Sequence, residues 1–281
     1  MSRHRIIIEP GTENSNYLKD LWTYRGLFYF LAWRDILVRY KQTVIGVLWS
    51  VLQPFVTIVV FTLVFNKLGN FPAEGGAPYA IMVCAGMLPW QFFSSSFSGA
   101  ANSLIANSNL LSKVYFPRLI VPASTVIVTL IDFLISFIIL VVLFVWFHYS
   151  PDWRLCLLPL FLLLAVITAM GTGLFIAALN VKYRDFKYVV PFIVQFGLYI
   201  SPVGYSSSAV YNSTEIPQFF KNIYALNPMV GVIDGFRWCI LGGNAPLQMY
   251  PFAASIIISI FFLFLGIWYF RKMEKSFADV I

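Results

Sequence analysis

The 281 residues are 59% hydrophobic and only 11% charged, where soluble domains carry about a quarter charged residues, so lipid is the expected surrounding. A formal net charge of +7 does not point to nucleic acid, because the basic side chains stand scattered at the edges of apolar runs and form no single stripe. Cys84, Cys156 and Cys239 are widely spaced and His4 and His148 isolated, which leaves little from which to build a metal site or a catalytic triad.

The first sixteen residues mix Arg3, His4, Arg5, Glu9 and Glu13 with one short isoleucine run, so no cleaved signal peptide is expected. Residues 17–44 then alternate large apolar and basic side chains. At about 100° per residue, Tyr29, Phe30, Trp33, Ile36, Leu37 and Tyr40 share one arc, flanked by Arg34 and Lys41 on one side and Asp35 and Arg39 on the other. That is the layout of a helix lying in the membrane interface. Its cations suit plain anchoring to anionic phospholipid and contact with an anionic substrate headgroup equally well.

A hydrocarbon core of about 30 Å needs roughly 20 apolar residues in a helix. Runs that qualify lie at 45–65, 79–101, 119–147, 155–179, 189–205 and 251–270. The second is polar in its latter half (Ser94, Ser95, Ser96, Ser98, Asn102), which suggests contact with protein or water on that face. Fifteen of the 19 Lys and Arg residues fall in the first, third, fifth and seventh segments outside these runs, which places both termini in the cytoplasm. The chain therefore reads as one all-α membrane domain, 45–281, of six transmembrane helices, preceded by a cytoplasmic segment, 1–44, that carries the interface helix.

Two connecting segments stand out. Residues 103–118 show modest helical periodicity; a short helix there offers Leu110, Leu111, Tyr115 and Phe116 to a cytoplasmic partner with Lys113 and Arg118 at its edge, or rests on headgroups as an amphipathic connector. Residues 206–250 hold a thirteen-residue apolar stretch, 229–241, interrupted by Asp234 and Arg237 and too short to span. It reads as a re-entrant or interfacial helix pair near the outer mouth, opened by Asn227-Pro228 and closed by Gly242-Gly243, or else as an extra-membrane cap.

The chemistry of the spans is sparse. Asp132 is the lone acid deep in a run, without a basic neighbour in any other span, and a neutral carboxyl bonded to Ser or Thr in a packing role fits it best. No Gly precedes Lys anywhere, so the chain has no P-loop, and any ATP drive must come from another subunit. Aromatic residues are abundant (28 Phe, 15 Tyr, 8 Trp) and many lie inside spans. Rings stack on the apolar faces of sugars, so Trp49, Phe55, Trp90, Phe92, Phe93, Phe196, Tyr199 and Tyr205 are candidates to line a glycan path; packing or lipid contact is the plainer use of any one of them.

The order of RDILVRYKQTVIGVLWSVLQP (34–54), PWQFF (89–93), NSNLLSKVYFPRLIVP (107–122), YRDF (183–186), QFGLYISPVGY (195–205) and NPMVGVIDGFR (227–237) resembles the type-two ABC permeases that export O-antigen, capsule and teichoic-acid polymers. The resemblance implies a homodimer in the bacterial inner membrane around one channel, with two copies of a separate nucleotide-binding subunit beneath. ATP and Mg2+ would then be held by that partner and no cofactor by this chain. Arg34, Arg39 and Lys41 would capture the pyrophosphate of an undecaprenyl-linked polysaccharide. Asn109, Leu110, Leu111, Lys113, Tyr115, Phe116 and Arg118 would belong to the coupling helix that enters the ATPase groove, and 206–250 to the re-entrant pair. Rival readings are an ABC permease for drugs or small lipids, an ion-coupled lipid-oligosaccharide flippase, which needs more intramembrane charge, and a membrane glycosyltransferase, which needs an acidic pair that Asp20, Asp35 and Asp185 do not form in sequence.

Overall fold

A computed structural model describes residues 17–41, 44–183, 185–242, 245, 247–274 and 277. The regular elements among them are all helical. The interface region is α1 (Tyr17–Thr23) and α2 (Arg25–Tyr40). The membrane helices are α3 (Val44–Phe61), extended by a π turn at Thr62–Leu68, α4 (Tyr79–Ala106), α6 (Ile120–Trp146), α7 (Leu158–Lys182), α8 (Phe186–Ile200) and α12 (Met249–Glu274). Between them lie α5 (Ser108–Leu111), α9 (Ser207–Asn212), α10 (Gln218–Ala225) and α11 (Pro228–Leu241).

Among the described residues, five helices are long and apolar enough to cross a membrane, and they coincide with five of the six expected runs. The chain is thus a multi-pass membrane protein. The remaining run differs. Its helix, α8, has 15 residues, about 22 Å at 1.5 Å per residue, and it stops at Ser201-Pro202 because proline brings no N–H to continue the ladder. Tyr205 therefore lies beyond the helix, where its hydroxyl donates to the Ile200 carbonyl at 2.7 Å.

α4 is the axis of the bundle, in contact with α3, α6, α7, α8 and α11. Among the polar groups that make it look like a poor span, Ser96 meets Thr129 of α6 at 2.6 Å, and Asn180 of α7 donates to the Ala101 carbonyl at 3.1 Å. Lipid offers no competing partners to such groups, so these contacts fix helix register as well as helix distance. α7 crosses α12 on small residues. A Cβ on Gly266 would lie 2.2 Å from the Gly171 carbonyl oxygen, so backbone meets backbone there. Thr168 and Ser259 join hydroxyls at 2.7 Å along the same seam.

A second apolar cluster closes the basic end of the bundle. Leu31 of α2 packs there with Leu104, Leu111, Phe116, Ile120, Leu174, Phe270 and Phe277, and with the half-buried Leu27 and Phe28. The interface helix is consequently apolar on two flanks: Leu27, Phe28 and Leu31 bind it to the bundle, while Tyr29, Phe30 and Trp33 remain exposed, Tyr29 and Trp33 stacked with planes 6° apart. At the opposite end α11 is buried nearly all round. Asn227 caps it by accepting from the Met229 N–H at 3.0 Å, Pro228 supplies a first-turn residue that needs no N–H partner, and Gly242 ends it with φ +74°.

Candidate substrate lip and partner-facing loop

The three cations expected to form an anion-binding lip are not equivalent. Arg34 is spread over two neighbours: its Nε and Nη2 donate to Asp35 Oδ1 at 2.9 and 2.7 Å, and Nη2 also donates to Asn107 Oδ1 at 2.8 Å. Asn107 ends α4 and begins α5, so this guanidinium ties the interface helix to the loop expected to face a partner. Arg39 reaches the other way, to Asp132 Oδ2 of α6 at 2.8 Å, and the neighbouring Tyr40 hydroxyl donates to Asp132 Oδ1. Lys41 is exposed at the end of α2. Two carboxylates thus stand among the three cations.

Asp132 is therefore not the isolated acid that its span suggested. Its basic partner comes from the interface helix and not from another span, and its hydroxyl donor is Tyr40, not Ser or Thr. Between this pair and the bundle lies a cavity of about 70 Å³ lined by Gln53, Gln91, Ser95, Thr129 and Ser136 together with Phe92 and Phe133.

The segment expected to face a partner is shorter and more divided than its periodicity implies. α5 is four residues long. Leu111 and Phe116 are buried in the basic-end cluster and Leu110 packs against it, so they hold the loop down; its outward side is Asn109, Lys113, Val114 and Tyr115. Arg118 is likewise turned inward: its N–H and guanidinium donate to Glu274 at 2.8 and 2.5 Å, and it lies over the Phe277 ring. Tyr17 of α1 donates to the same Glu274. Burial, and then the adjoining carboxylate, push the Tyr17 phenol far above its ordinary range, which keeps it a donor.

The aromatic candidates fall into distinct groups. Trp90, Phe92 and Phe93 are core residues: Phe93 stacks on Phe97 at 5.7 Å, Phe92 meets Phe133 edge-on at 5.9 Å, and Trp90 lies against Gly197. Phe55 on α3 and Phe196 and Tyr199 on α8 are exposed. Tyr205 is half-buried in the turn after α8. Trp49 sits on α3, and its side chain lies outside the described residues.

At the opposite end a group that the sequence had marked only as an interruption proves central. Arg237 is 1% exposed. It donates to the carbonyls of Tyr205 at 2.7 Å and Val203 at 2.9 Å and faces Glu74 at 3.7 Å. One guanidinium so joins α11, the turn after α8 and the loop before α4. The signal was an arginine within an apolar stretch, which in a membrane protein demands acceptors nearby.

Residues 26–241 match the ABC-2 type transporter family. The chain belongs to that family. The match begins in the interface helix and ends with α11, so it takes in the lip, the loop and the Arg237 contacts. Among relatives of this ABC-2 chain, the O-antigen export system permease protein RfbA of Myxococcus xanthus is 28% identical, over 94% of this chain and 98% of that one. A protein of the same name from Klebsiella pneumoniae is 27% identical over 95% and 97%. The polysialic acid transport protein KpsM of Escherichia coli is 22% identical over 86% and 92%.

Proposed function

We propose that this ABC-2 chain is the channel-forming permease subunit of an ATP-driven exporter that moves lipid-linked polysaccharide, an O-antigen first among the candidates, across the cytoplasmic membrane. The near end-to-end similarity to permeases named for O-antigen export carries this reading. A polysialic acid transporter, similar over a smaller share of the chain, widens the substrate class to polysaccharides. In this reading α8 is the sixth span, helped across by the turn at 201–205, and α9 to α11 form the re-entrant group at the outer mouth.

The chain acts as a homodimer, with both termini in the cytoplasm of a bacterial cell. The exposed apolar flanks of α3 and α8, with Phe55, Phe196 and Tyr199, are the surfaces best suited to face a second copy and the moving glycan. Two ATPase subunits, which hold ATP and Mg2+, bind below; the chain itself carries no cofactor. Asn109, Lys113 and Tyr115 form the coupling surface, with Leu110, Leu111, Phe116 and Arg118 as its support. Lys41, Arg34 and Arg39 supply the positive lip for the lipid pyrophosphate.

Purification from native membranes tests the assembly. Two copies of this chain with two of an ATP-hydrolysing subunit are expected, and recovery of this chain without any ATPase removes the exporter function. Tyr115→Ala with Lys113→Glu is expected to weaken ATPase-subunit binding by about 30-fold or more, since an exposed tyrosine anchor is commonly worth about 2 kcal/mol. The dimer should survive, because neither side chain supports the fold. Undiminished binding in that variant moves the coupling surface elsewhere.

A further inference from the structure

We infer that Asp132 is a displaceable counter-ion for Arg39, which it yields to the diphosphate headgroup of the lipid-linked substrate; this rests on the exporter reading above. The observation behind it is the asymmetry of the pair. The Asp132 side chain is 13% exposed and fixed in α6, whereas the Arg39 side chain is 47% exposed at the rim. The base can swing outward and the acid cannot follow. Asp132 Oδ2 lies 2.8 Å from the guanidinium, a charge contact that a more highly charged anion can contest. A diphosphate carries more negative charge than a carboxylate and offers paired oxygens that match the guanidinium fork, so it outcompetes Asp132 for the same atoms.

The exchange does not strand the carboxylate. Tyr40 stays bonded to Oδ1, and the adjoining cavity brings Gln53, Gln91, Ser95 and Ser136 to its walls, amide and hydroxyl groups that donate directly or through water. An ionisable residue in an otherwise uncharged 27-residue helix is costly to keep. A resident anion that holds the lip arginine in place until the substrate arrives gives it a use beyond packing. Arg39 is the binding residue and Asp132 the positioning one.

The test uses the complex with its ATPase subunit in nanodiscs, with geranylgeranyl diphosphate as probe and geranylgeraniol as the uncharged control. Asp132→Asn is expected to tighten diphosphate binding about tenfold, about 1.4 kcal/mol, and to leave the alcohol unchanged. In an Arg39→Ala background the same substitution is expected to change nothing, since the two residues act as one unit. A folded D132N complex with unchanged or weaker diphosphate affinity overturns the exchange while leaving the exporter reading intact.

Should D132N fail to assemble, a reporter on otherwise unaltered residues decides. Val38 is 72% exposed beside Arg39, Cys84 and Cys239 are buried and Cys156 is exposed. Cys156→Ser with Val38→Cys therefore accepts a single environment-sensitive fluorophore. A signal change on adding diphosphate but not alcohol supports the exchange, and a silent reporter in a complex that binds diphosphate overturns it. If the unaltered complex binds no diphosphate at all, headgroup capture falls and the exchange with it.

Discussion

Arg237→Met is expected to cut the yield of monodisperse protein from membranes to less than a tenth of the unaltered chain. The substitution preserves much of the side-chain volume, so its effect isolates the charge and the donors. Two backbone carbonyls, at Val203 and Tyr205, would lose their guanidinium partner, and the Glu74 and Asp234 carboxylates would lose the cation they face. Removing one partner of a buried ion pair costs about 3–5 kcal/mol, a large part of the roughly 5–15 kcal/mol that holds a typical domain together. Arg237→Lys should be intermediate, because an ammonium is a compact donor that cannot span two carbonyls with a planar fork. Fluorescence-detected size exclusion after detergent extraction reads the outcome; a normal profile for R237M would mean that the three segments hold together without the arginine.

Gly266→Ile should be as severe for a different reason. Its Cβ alone falls 2.2 Å from the Gly171 carbonyl oxygen, and a backbone atom in a helix cannot turn aside as a side chain does. α7 and α12 would have to part, which breaks the Thr168–Ser259 bond and opens the close packing that substitutes for a hydrophobic drive in lipid. Overpacking a well-filled contact costs about 1–3 kcal/mol even where side chains can yield, and here they cannot. Gly26→Ala is the control. A Cβ there meets nothing within 4 Å, so the better helix former is expected to be neutral or stabilising by up to about 1 kcal/mol. Thermal unfolding in detergent separates the two, and equal melting temperatures for G266I and the unaltered chain would refute the backbone-contact account.

The spans were the most legible part of the sequence, because an uninterrupted charge-free run of about 20 residues has few other uses. The run at 189–205 is longer than its helix, which ends before Ser201-Pro202. α4 shows the limit of composition. Its serines pointed to protein or water and left the choice open; the helix is the axis of the bundle, and only the packing shows that Trp90, Phe92 and Phe93 meet other residues of the core.

The lip shows what charge counts leave out. Arg34, Arg39 and Lys41 were found as cations, but charge counts do not reveal that Asp35, Asn107 and Asp132 already engage two of them. Asp132 has no basic neighbour in any span, because its partner comes from the interface helix, which is not one. In the loop at 107–118, Leu110, Leu111, Tyr115 and Phe116 were equally apolar by sequence. Tertiary packing divides them: Leu111 and Phe116 are pressed against α2 and α12, which leaves Tyr115 outside.

The basic-end cluster also bears on how the chain is made. Leu21, Leu27, Phe28 and Leu31 leave the ribosome early, whereas Phe270, Glu274 and Phe277, part of the ground on which that region rests, emerge after every other membrane helix has been threaded through the insertion machinery. During most of synthesis α1 and α2 therefore have an incomplete seat in the bundle and are left to the lipid surface, where the exposed rings of Tyr29, Phe30 and Trp33 suit them. The seat of α1 and α2 on Phe270, Glu274 and Phe277 is thus completed late, whereas the contacts of the basic lip with Asn107 and Asp132 need only α4 and α6.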